Sequence, residues 1–374
     1  MKFYNYLLCG LFLLGFSACS DWTEIESETF LEHENINRII PLIEAQSEED
    51  LMPSEREYYR KLREEYRPSP HVKGFGWFGN WTGKGNNPQN YLKCLPDSVD
   101  FVSLWGARGN LSAEQKADLK FFQDVKGGKA LLCWIIQDIG SAITPEGKDM
   151  KQYWIDELGK GDAVEGAKAY ANAIADTIIK YNLDGFDIDY EPRYGHSGTL
   201  AGPGIGTIAP NSNKKMYWFV KTLYDRFQAH EQETGKDLML VMDGEPYCCS
   251  TETSEMIDHY IYQAYWETSK SQVIGKIQNT HLKDWERKTI ITVEFEQGWR
   301  TGGTTSYYSS KFQYKPGAQI FDYAIMDLPS GLRIGGIGTY HMEYDYANNP
   351  PYKWLRTALY YGNQVYPGKF ELNN

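Results

Sequence analysis

The chain has 374 residues, 41% of them hydrophobic and 24% charged, a balance typical of folded rather than disordered proteins. This length suits one large domain or two ordinary ones. The net charge of −12 argues against nucleic-acid binding, which favours basic surfaces, so no nucleic acid is expected as a partner. Aromatic residues make up 15% of the chain and suit either an aromatic core or the binding of sugar rings.

The first 18 residues have the features of an export signal. Lys2 precedes an apolar run at 7–16 that is too short to span a bilayer, and small residues follow. Phe16-Ser17-Ala18-Cys19 resembles a bacterial lipobox, which implies acylation of Cys19 as a lipid anchor. We expect residues 1–18 to be a lipoprotein signal peptide and the protein to be an outer-membrane or cell-surface lipoprotein of a Gram-negative bacterium. The alternatives are the periplasmic membrane face and an ordinary signal peptide.

Residues 19–70 are expected to form an acidic tether followed by a short N-terminal helix. Ser54 and Glu57 have the spacing of a capping box, which predicts a charged helix from there to about Tyr66. Pro68 and Pro70 end it.

From residue 71 to the C-terminus, short apolar segments alternate with helical patterns. Eight segments are predicted as strands: 72–78, 98–105, 130–137, 183–190, 237–242, 260–266, 289–295 and 336–340. Helical periodicity falls between them, as at 165–181 and 214–230. Strands apolar on both faces that alternate with helices predict a parallel sheet. The fold class is therefore α/β, a TIM (β/α)8 barrel spanning 71–374, with a doubly wound open sheet as the alternative.

The carboxyl ends of the predicted strands carry polar and aromatic residues. In a TIM barrel this rim holds the active site, and such residues suit a carbohydrate cleft. The residues read at these ends are Trp77, Trp105, Gln137, Glu191, Glu245, Tyr265, Glu294 and Tyr340. Of these positions and their neighbours, six are expected to bind substrate: Trp77, Trp105, Glu245, Trp266, Glu294 and Tyr340.

The fourth predicted strand carries three carboxylates on one face. Asp187, Asp189 and Glu191 alternate with Phe186, Ile188 and Tyr190, so the acids point together into the barrel. Three adjacent acids are costly to desolvate, and their repulsion raises the pKa of some members towards neutral pH. This predicts a proton-donating site. A divalent-cation site and a solvated acidic strand are the alternatives.

The run from Asp184 to Glu191 matches the DGxDxDxE signature of glycoside hydrolase family 18, which contains chitinases and endo-β-N-acetylglucosaminidases. The resemblance extends over residues 70–365 and implies substrate-assisted, retaining hydrolysis. Glu191 would be the acid and base, Asp189 would hold the substrate's acetamido group, and Asp187 would share a proton with Asp189. Neither a metal nor a cofactor is implied.

Gln263 and Tyr265 refine this resemblance. A Gln-x-Tyr pair on the sixth strand resembles the endo-β-N-acetylglucosaminidases, in which both residues contact the reacting acetamido group. The SxGG stretch and the strand-eight tryptophan of chitinases are missing, and Tyr340-His341 stands at the latter place. The expected partner is an N-glycan or another N-acetylglucosamine-containing oligosaccharide, and the expected state is a monomer. A chitinase and a non-catalytic glycan-binding lipoprotein remain alternatives.

Three further features leave alternatives open. The glycine-rich loop at 195–206 is either a glycan-recognising wall or an inert surface loop. Five tryptophans are either sugar platforms or core residues: Trp77, Trp81, Trp105, Trp266 and Trp299. Outside the leader and the anchor, Cys94, Cys133, Cys248 and Cys249 allow three disulfide pairings.

Overall fold

The computed structural model describes residues 42–365 except 141, 195, 196 and 203. The predicted signal peptide, Cys19, the first part of the tether and the last nine residues lie outside the described residues. These predictions therefore stay predictions.

Eight parallel strands close into a barrel, which confirms the predicted TIM barrel. They are β1 (Lys73–Phe78), β2 (Val99–Leu104), β3 (Lys129–Ile135), β4 (Gly185–Tyr190), β5 (Met239–Gly244), β6 (His259–Gln263), β7 (Thr289–Glu294) and β8 (Gly336–Tyr340). Each strand pairs with the next in the chain, and β8 pairs with β1. This closure excludes the doubly wound open sheet, which would leave two edge strands.

Helices surround the barrel. The α-helices of the described residues are α1 (Pro53–Lys61), α2 (Ala113–Asp124), α3 (Ala163–Lys180), α4 (Lys214–Thr234), α5 (Thr251–Ser254), α6 (Lys270–Ile277), α7 (Trp285–Lys288), α8 (Ala318–Ala324) and α9 (Lys353–Val365). Two π-helical turns span Leu62–Tyr66 and Gln152–Leu158. Short 3₁₀ turns span Glu48–Asp50, Pro88–Asn90, Leu92–Cys94, Pro246–Cys248, Gly298–Arg300 and Met342–Ala347. None of the described helices is both long and apolar enough to cross a bilayer.

Two apolar layers hold the barrel together, one inside it and one between strands and helices. The inner layer includes the fully buried Phe75, Leu131, Val241, Ile261 and Ile290. Each such side chain contributes about 1.5–3 kcal/mol by leaving water. Alternate residues of each strand share this inner face, and towards the carboxyl ends of the strands those residues become polar. The site described below begins there.

The N-terminal helix is confirmed, but the predicted capping box is wrong. α1 begins at Pro53, and Met52 is its N-cap, with the backbone N–H of Met52 donating to the Glu55 carboxylate at 2.9 Å. Proline suits the first helical position because its missing N–H would have no partner there. The helix therefore begins before Ser54, which lies within its first turn.

Two strand boundaries differ from the prediction in ways that affect the site. β5 continues through Asp243 and Gly244, whereas the predicted strand ended at residue 242. β6 ends at Gln263, so Tyr265 lies beyond the strand rather than in it. The four cysteines, Cys94, Cys133, Cys248 and Cys249, are all buried and free, so none of the three predicted pairings forms.

Candidate active site

The three predicted acids of β4 lie together at the carboxyl end of the barrel. Asp187 is fully buried and Asp189 is 5% exposed, while Glu191, directly after the strand, is half-buried. The alternation of the strand brings them to one face. Depth in the barrel thus falls from Asp187 to Glu191, and Glu191 is the member that substrate can reach.

Asp187 is fixed from beneath by two donors. The Ser103 hydroxyl donates to its Oδ2 at 2.6 Å, and the Trp77 indole N–H donates to the same oxygen at 3.2 Å. Trp77 is only 2% exposed. The structure therefore places Trp77 beneath the acids, where it positions Asp187, and this placement favours positioning over sugar stacking.

A fourth carboxyl, Asp243, completes the cluster and was missed by the sequence reasoning. Asp243 is fully buried on β5, opposite Asp189 in the strand register. A carboxyl oxygen of Asp243 lies within 4.8 Å of one from Asp187 and of one from Asp189, and the Gln263 amide donates to its Oδ1 at 3.1 Å. The available signal was its place two residues after inward-facing Val241, on the strand beside β4.

The cluster retains protons at neutral pH. Burial raises the pKa of Asp187 to about 6. Burial and repulsion from neighbouring carboxylates raise the pKa of Asp189 and of Asp243 well above the usual range. Buried carboxyls within 4.8 Å of one another cannot all be ionised at low cost, so some of them keep a proton. The acids of β4 and β5 therefore form a proton-sharing group under Glu191.

Glu191 is positioned by the last residue of β5 and by the residue after it. Gly244 has a φ of +76°, and a Cβ there would lie 2.7 Å from the Glu191 Cγ, so only glycine fits. Glu245, 1% exposed, accepts the Arg193 backbone N–H at 2.8 Å and a hydrogen bond from the Tyr247 hydroxyl. Glu245 thereby ties down the chain two residues after Glu191, and its burial favours positioning over the predicted substrate contact.

Aromatic rings form one wall above the acids. Tyr265 stacks on Tyr340, with ring centroids 6.1 Å apart, and Trp105 meets Tyr340 edge-on at 5.6 Å. Burial and the nearby Asp243 and Asp189 raise the pKa of Tyr265 well above its usual value, so its hydroxyl remains a donor. The predicted Gln263, Tyr265, Tyr340 and Trp105 thus lie around one site.

The other predicted substrate contacts and candidate tryptophan platforms have varied surroundings. Trp266 is 63% exposed. Glu294, at the end of β7, accepts the Gln297 N–H at 2.9 Å. Trp81 is a core residue, since its indole donates to the buried Asp118 at 2.8 Å, and Trp299 is half-buried beneath the Arg300 guanidinium.

The acids also have the spacing of cation ligands. One ligand atom each from Asp189, Glu191 and Asp243 lie within 4.8 Å of one another, and so do those of Cys133, Asp187 and Asp243. Ca²⁺ or Mg²⁺ would bind these carboxylates in their ionised form, with water completing the coordination. A cation would therefore displace the protons that the buried carboxyls share. The arrangement therefore favours proton chemistry over a metal centre.

The described part of the glycine-rich loop packs beside this site. Leu200 accepts hydrogen bonds from the Tyr190 hydroxyl at 3.2 Å and the Asn213 amide at 2.8 Å. Its N–H donates to the Gln137 carbonyl at 2.9 Å. Ile205 further along is 66% exposed. The loop is thus anchored to the ends of β3 and β4, which suits a wall of the cleft.

Comparison with known proteins adds three findings. A family model described as glycoside hydrolase family 18, BT1044-like, matches residues 30–360. The structure of a glutamate-to-glutamine variant of BT1044 is 69% identical, covers 89% of this chain and 100% of its own, and superposes with a TM-score of 0.83. Comparison with curated proteins gave no match.

Endo-β-N-acetylglucosaminidase from Cordyceps militaris is a more distant match. A doubly substituted variant, in complex with fucosyl-N-acetylglucosamine-Asn, is 18% identical, with a TM-score of 0.56 over 84% of this chain and 97% of its own. The apo form is 19% identical, with a TM-score of 0.54 over 82% and 95%. At this identity the match shows a shared fold.

Proposed function

Because the chain belongs to glycoside hydrolase family 18, we propose that it is an endo-β-N-acetylglucosaminidase acting on N-glycans. It cleaves between the two core N-acetylglucosamine residues and leaves one on the protein. The reaction is substrate-assisted hydrolysis with retention of configuration.

The main support for this proposal is that Glu191, which substrate can reach, lies over the buried, proton-sharing aspartates. Enzymes that use a carboxylate nucleophile place it about 5–5.5 Å from the acid, across the scissile bond. Here Asp189 lies on β4 and Glu191 directly follows that strand, with carboxylate atoms within 4.8 Å. Asp189 is also too deeply buried to attack the anomeric carbon, which supports a nucleophile supplied by the substrate.

The proposed reaction has two steps, and Glu191 transfers a proton in each. Glu191 donates its proton to the glycosidic oxygen as the bond to the anomeric carbon breaks. The substrate's acetamido oxygen attacks that carbon and forms an oxazolinium ion, while Asp189 accepts a hydrogen bond from the acetamido N–H. Glu191 then takes a proton from the water that opens the ring. Asp187 and Asp243 hold the protons that let Asp189 change its charge at low cost.

Gln263 and Tyr265 orient the reacting group. Gln263 is held by its 3.1 Å bond to Asp243, and the Tyr265 hydroxyl stays protonated beside the acids because its pKa is raised. Both side chains carry hydrogen-bond donors, and the acetamido oxygen has lone pairs that can accept from them. They hold the acetamido oxygen in line for attack.

The test is incubation with a high-mannose glycoprotein followed by mass spectrometry of the protein. The expected product keeps a single N-acetylglucosamine per site. Replacing Glu191→Gln should lower kcat by about 10²–10⁴-fold and preserve binding, because only the transferable proton is lost. Release of short oligomers from chitin instead would favour a chitinase. Binding of the glycan without cleavage by the wild type would favour a glycan-binding protein.

We further propose that Cys19 anchors the protein to the membrane as a surface lipoprotein. The support is the charged start, short apolar run and lipobox-like sequence of the leader. Metabolic labelling with a fatty acid should modify the wild type and leave Cys19→Ala unlabelled. Equal labelling of both would remove Cys19 from this role.

A further inference from the structure

A separate cavity of about 710 Å³ lies on the same rim as the acids. It is enclosed by the segments that follow β1 and β2 and by His341 after β8. Its volume falls in the range of about 300–1,000 Å³ that is usual for ligand pockets. Nothing in the mechanism above uses it.

The cavity is connected to the acids by aromatic rings. Trp105 lines the cavity and contacts Tyr340 at 5.6 Å, and Tyr340 stacks on Tyr265 at 6.1 Å. Tyr265 in turn lies beside Asp243 and Asp189. A sugar chain that leaves the reacting site along this wall therefore reaches the cavity.

One wall of the cavity is held in place by a buried carboxylate. Glu343, fully buried, accepts the His341 Nδ1–H at 2.7 Å and the Gly79 backbone N–H at 2.9 Å. A Cβ on Gly79 would lie 2.5 Å from Glu343 Oε1, so glycine permits this contact. The loops after β1 and β8 are thereby locked together before any ligand binds, which lowers the entropic cost of binding.

The charge of the cavity is unlike that of the rest of the chain. The chain carries −12, yet none of the described residues that line this cavity is acidic. Arg108 is exposed there and forms no ion pair with any described residue. Asn80, Asn110 and Gln115 add amide groups to the same lining. An uncompensated guanidinium among amides and an indole suits a ligand with hydroxyls, an apolar ring face and a negative charge.

We propose that this cavity binds an outer arm of the oligosaccharide that ends in a carboxylate-bearing sugar. Arg108 binds the carboxylate, and Trp105 contacts the sugar ring. This inference rests on the proposed function, since it names the class of glycan that the same site prefers.

The test measures binding to the Glu191→Gln protein, so that cleavage does not enter. The probes are a biantennary N-glycan with terminal sialic acids and the same glycan after their enzymatic removal. The sialylated glycan should bind about tenfold more tightly, as one charge-assisted hydrogen bond allows. Adding Arg108→Gln should abolish this preference, and Arg108→Glu should reverse it. The preference should also shrink as ionic strength rises.

Arg300→Gln is the matched control, since Arg300 is an exposed arginine at the same end of the barrel but outside the cavity. It should leave the preference unchanged. Equal binding of both glycans, or the same loss with Arg300→Gln, would overturn the inference. Failure of the proposed function is a different result: wild-type protein would cleave neither glycan, whatever their relative affinities.

Discussion

The two ends of the barrel both hold buried aspartates, but their surroundings move the pKa of the carboxyls in opposite directions. At the amino-terminal ends of the strands, Asp100 is 8% exposed and bonded to His71 at 2.8 Å, Arg67 at 3.3 Å and Lys73 at 3.4 Å. Burial raises its pKa, but the His71 hydrogen bond and the nearby cations outweigh burial and hold the pKa below its usual range.

At the carboxyl end, none of the described residues pairs a cation with the buried aspartates. The neighbours of Asp187 and Asp243 are a hydroxyl, an indole, an amide, the Cys133 thiol and other carboxyls. The buried aspartate at the amino-terminal end of the barrel therefore stabilises the fold, whereas those at the carboxyl end destabilise it. The difference teaches that burial alone does not decide the role of an aspartate, since its partners decide whether it is kept charged or kept protonated.

The largest expected effect is a loss of folding stability on substituting Asp100, at the amino-terminal end of the barrel. Asp100→Asn should lower the free energy of unfolding by about 3–5 kcal/mol near neutral pH, because it leaves buried cationic partners without their carboxylate. Since the folded-state pKa of Asp100 lies below the unfolded value, its stabilisation is present above about pH 4 and is lost as pH falls. Denaturant titration at several pH values measures this. A loss that stays the same at low pH would contradict the assigned ion pairs.

An aspartate-to-asparagine substitution at the carboxyl end of the barrel should instead raise the free energy of unfolding. The folded-state pKa of Asp187 is about 6, above its usual 3.8. The contribution of this carboxyl to wild-type stability is therefore fully present below the unfolded pKa and is lost as pH rises through about 6. Asp187→Asn should therefore gain up to about 3 kcal/mol above pH 6 and almost nothing near pH 4. Thermal unfolding across this range is the measurement. A variant less stable than wild type at pH 8 would show that the carboxyl is stabilising there.

A smaller effect is expected on catalysis from Asp243→Asn. Asp243 is a positioning residue, and losing its shared proton should lower kcat by about 10–10²-fold with little change in KM. The substitution also removes a carboxyl whose ionised form would repel its neighbours, so the pKa of the remaining acids falls and the pH profile of kcat/KM should move to lower pH. Asp100→Asn is the matched control and should leave that profile in place. An unshifted profile in Asp243→Asn would reduce Asp243 to a packing role.

The smallest effect is expected from chelation. If the four acids share protons rather than a cation, EDTA should leave kcat/KM of the wild type unchanged. A loss of activity restored by Ca²⁺ or Mg²⁺ would revive the cation-site alternative and would make the two ends of the barrel alike, each with a cation beside its acids.

Periodicity and the acidic motif predicted the barrel and its central acids from the sequence. The predicted strands overlap all eight strands of the structure, because a strand buried on both faces needs a continuous apolar run. Asp187, Asp189 and Glu191 followed from alternation along one strand, which is a local property.

The contacts between strands could not be predicted in the same way. Asp243 follows an apolar run like any strand-ending acid, and its importance arises only from the register that sets it opposite Asp189. The burial of Glu245 and Trp77 likewise depends on loops and strands far away in sequence. The four cysteines, which form no disulfide, show the same limit, because spacing in the sequence gives no distances in the fold.

The hydrogen bond from Arg193 to Glu245 separates the catalytic acid from the loop that follows it. Changes beyond residue 193 need not be transmitted to Glu191, because the chain is already held there by Glu245, the residue after β5. Substitutions in the stretch up to Asn213, the N-cap of α4, are therefore expected to leave Glu191 in place. On the proposed function, this stretch can adjust glycan preference while the catalytic acid keeps its position.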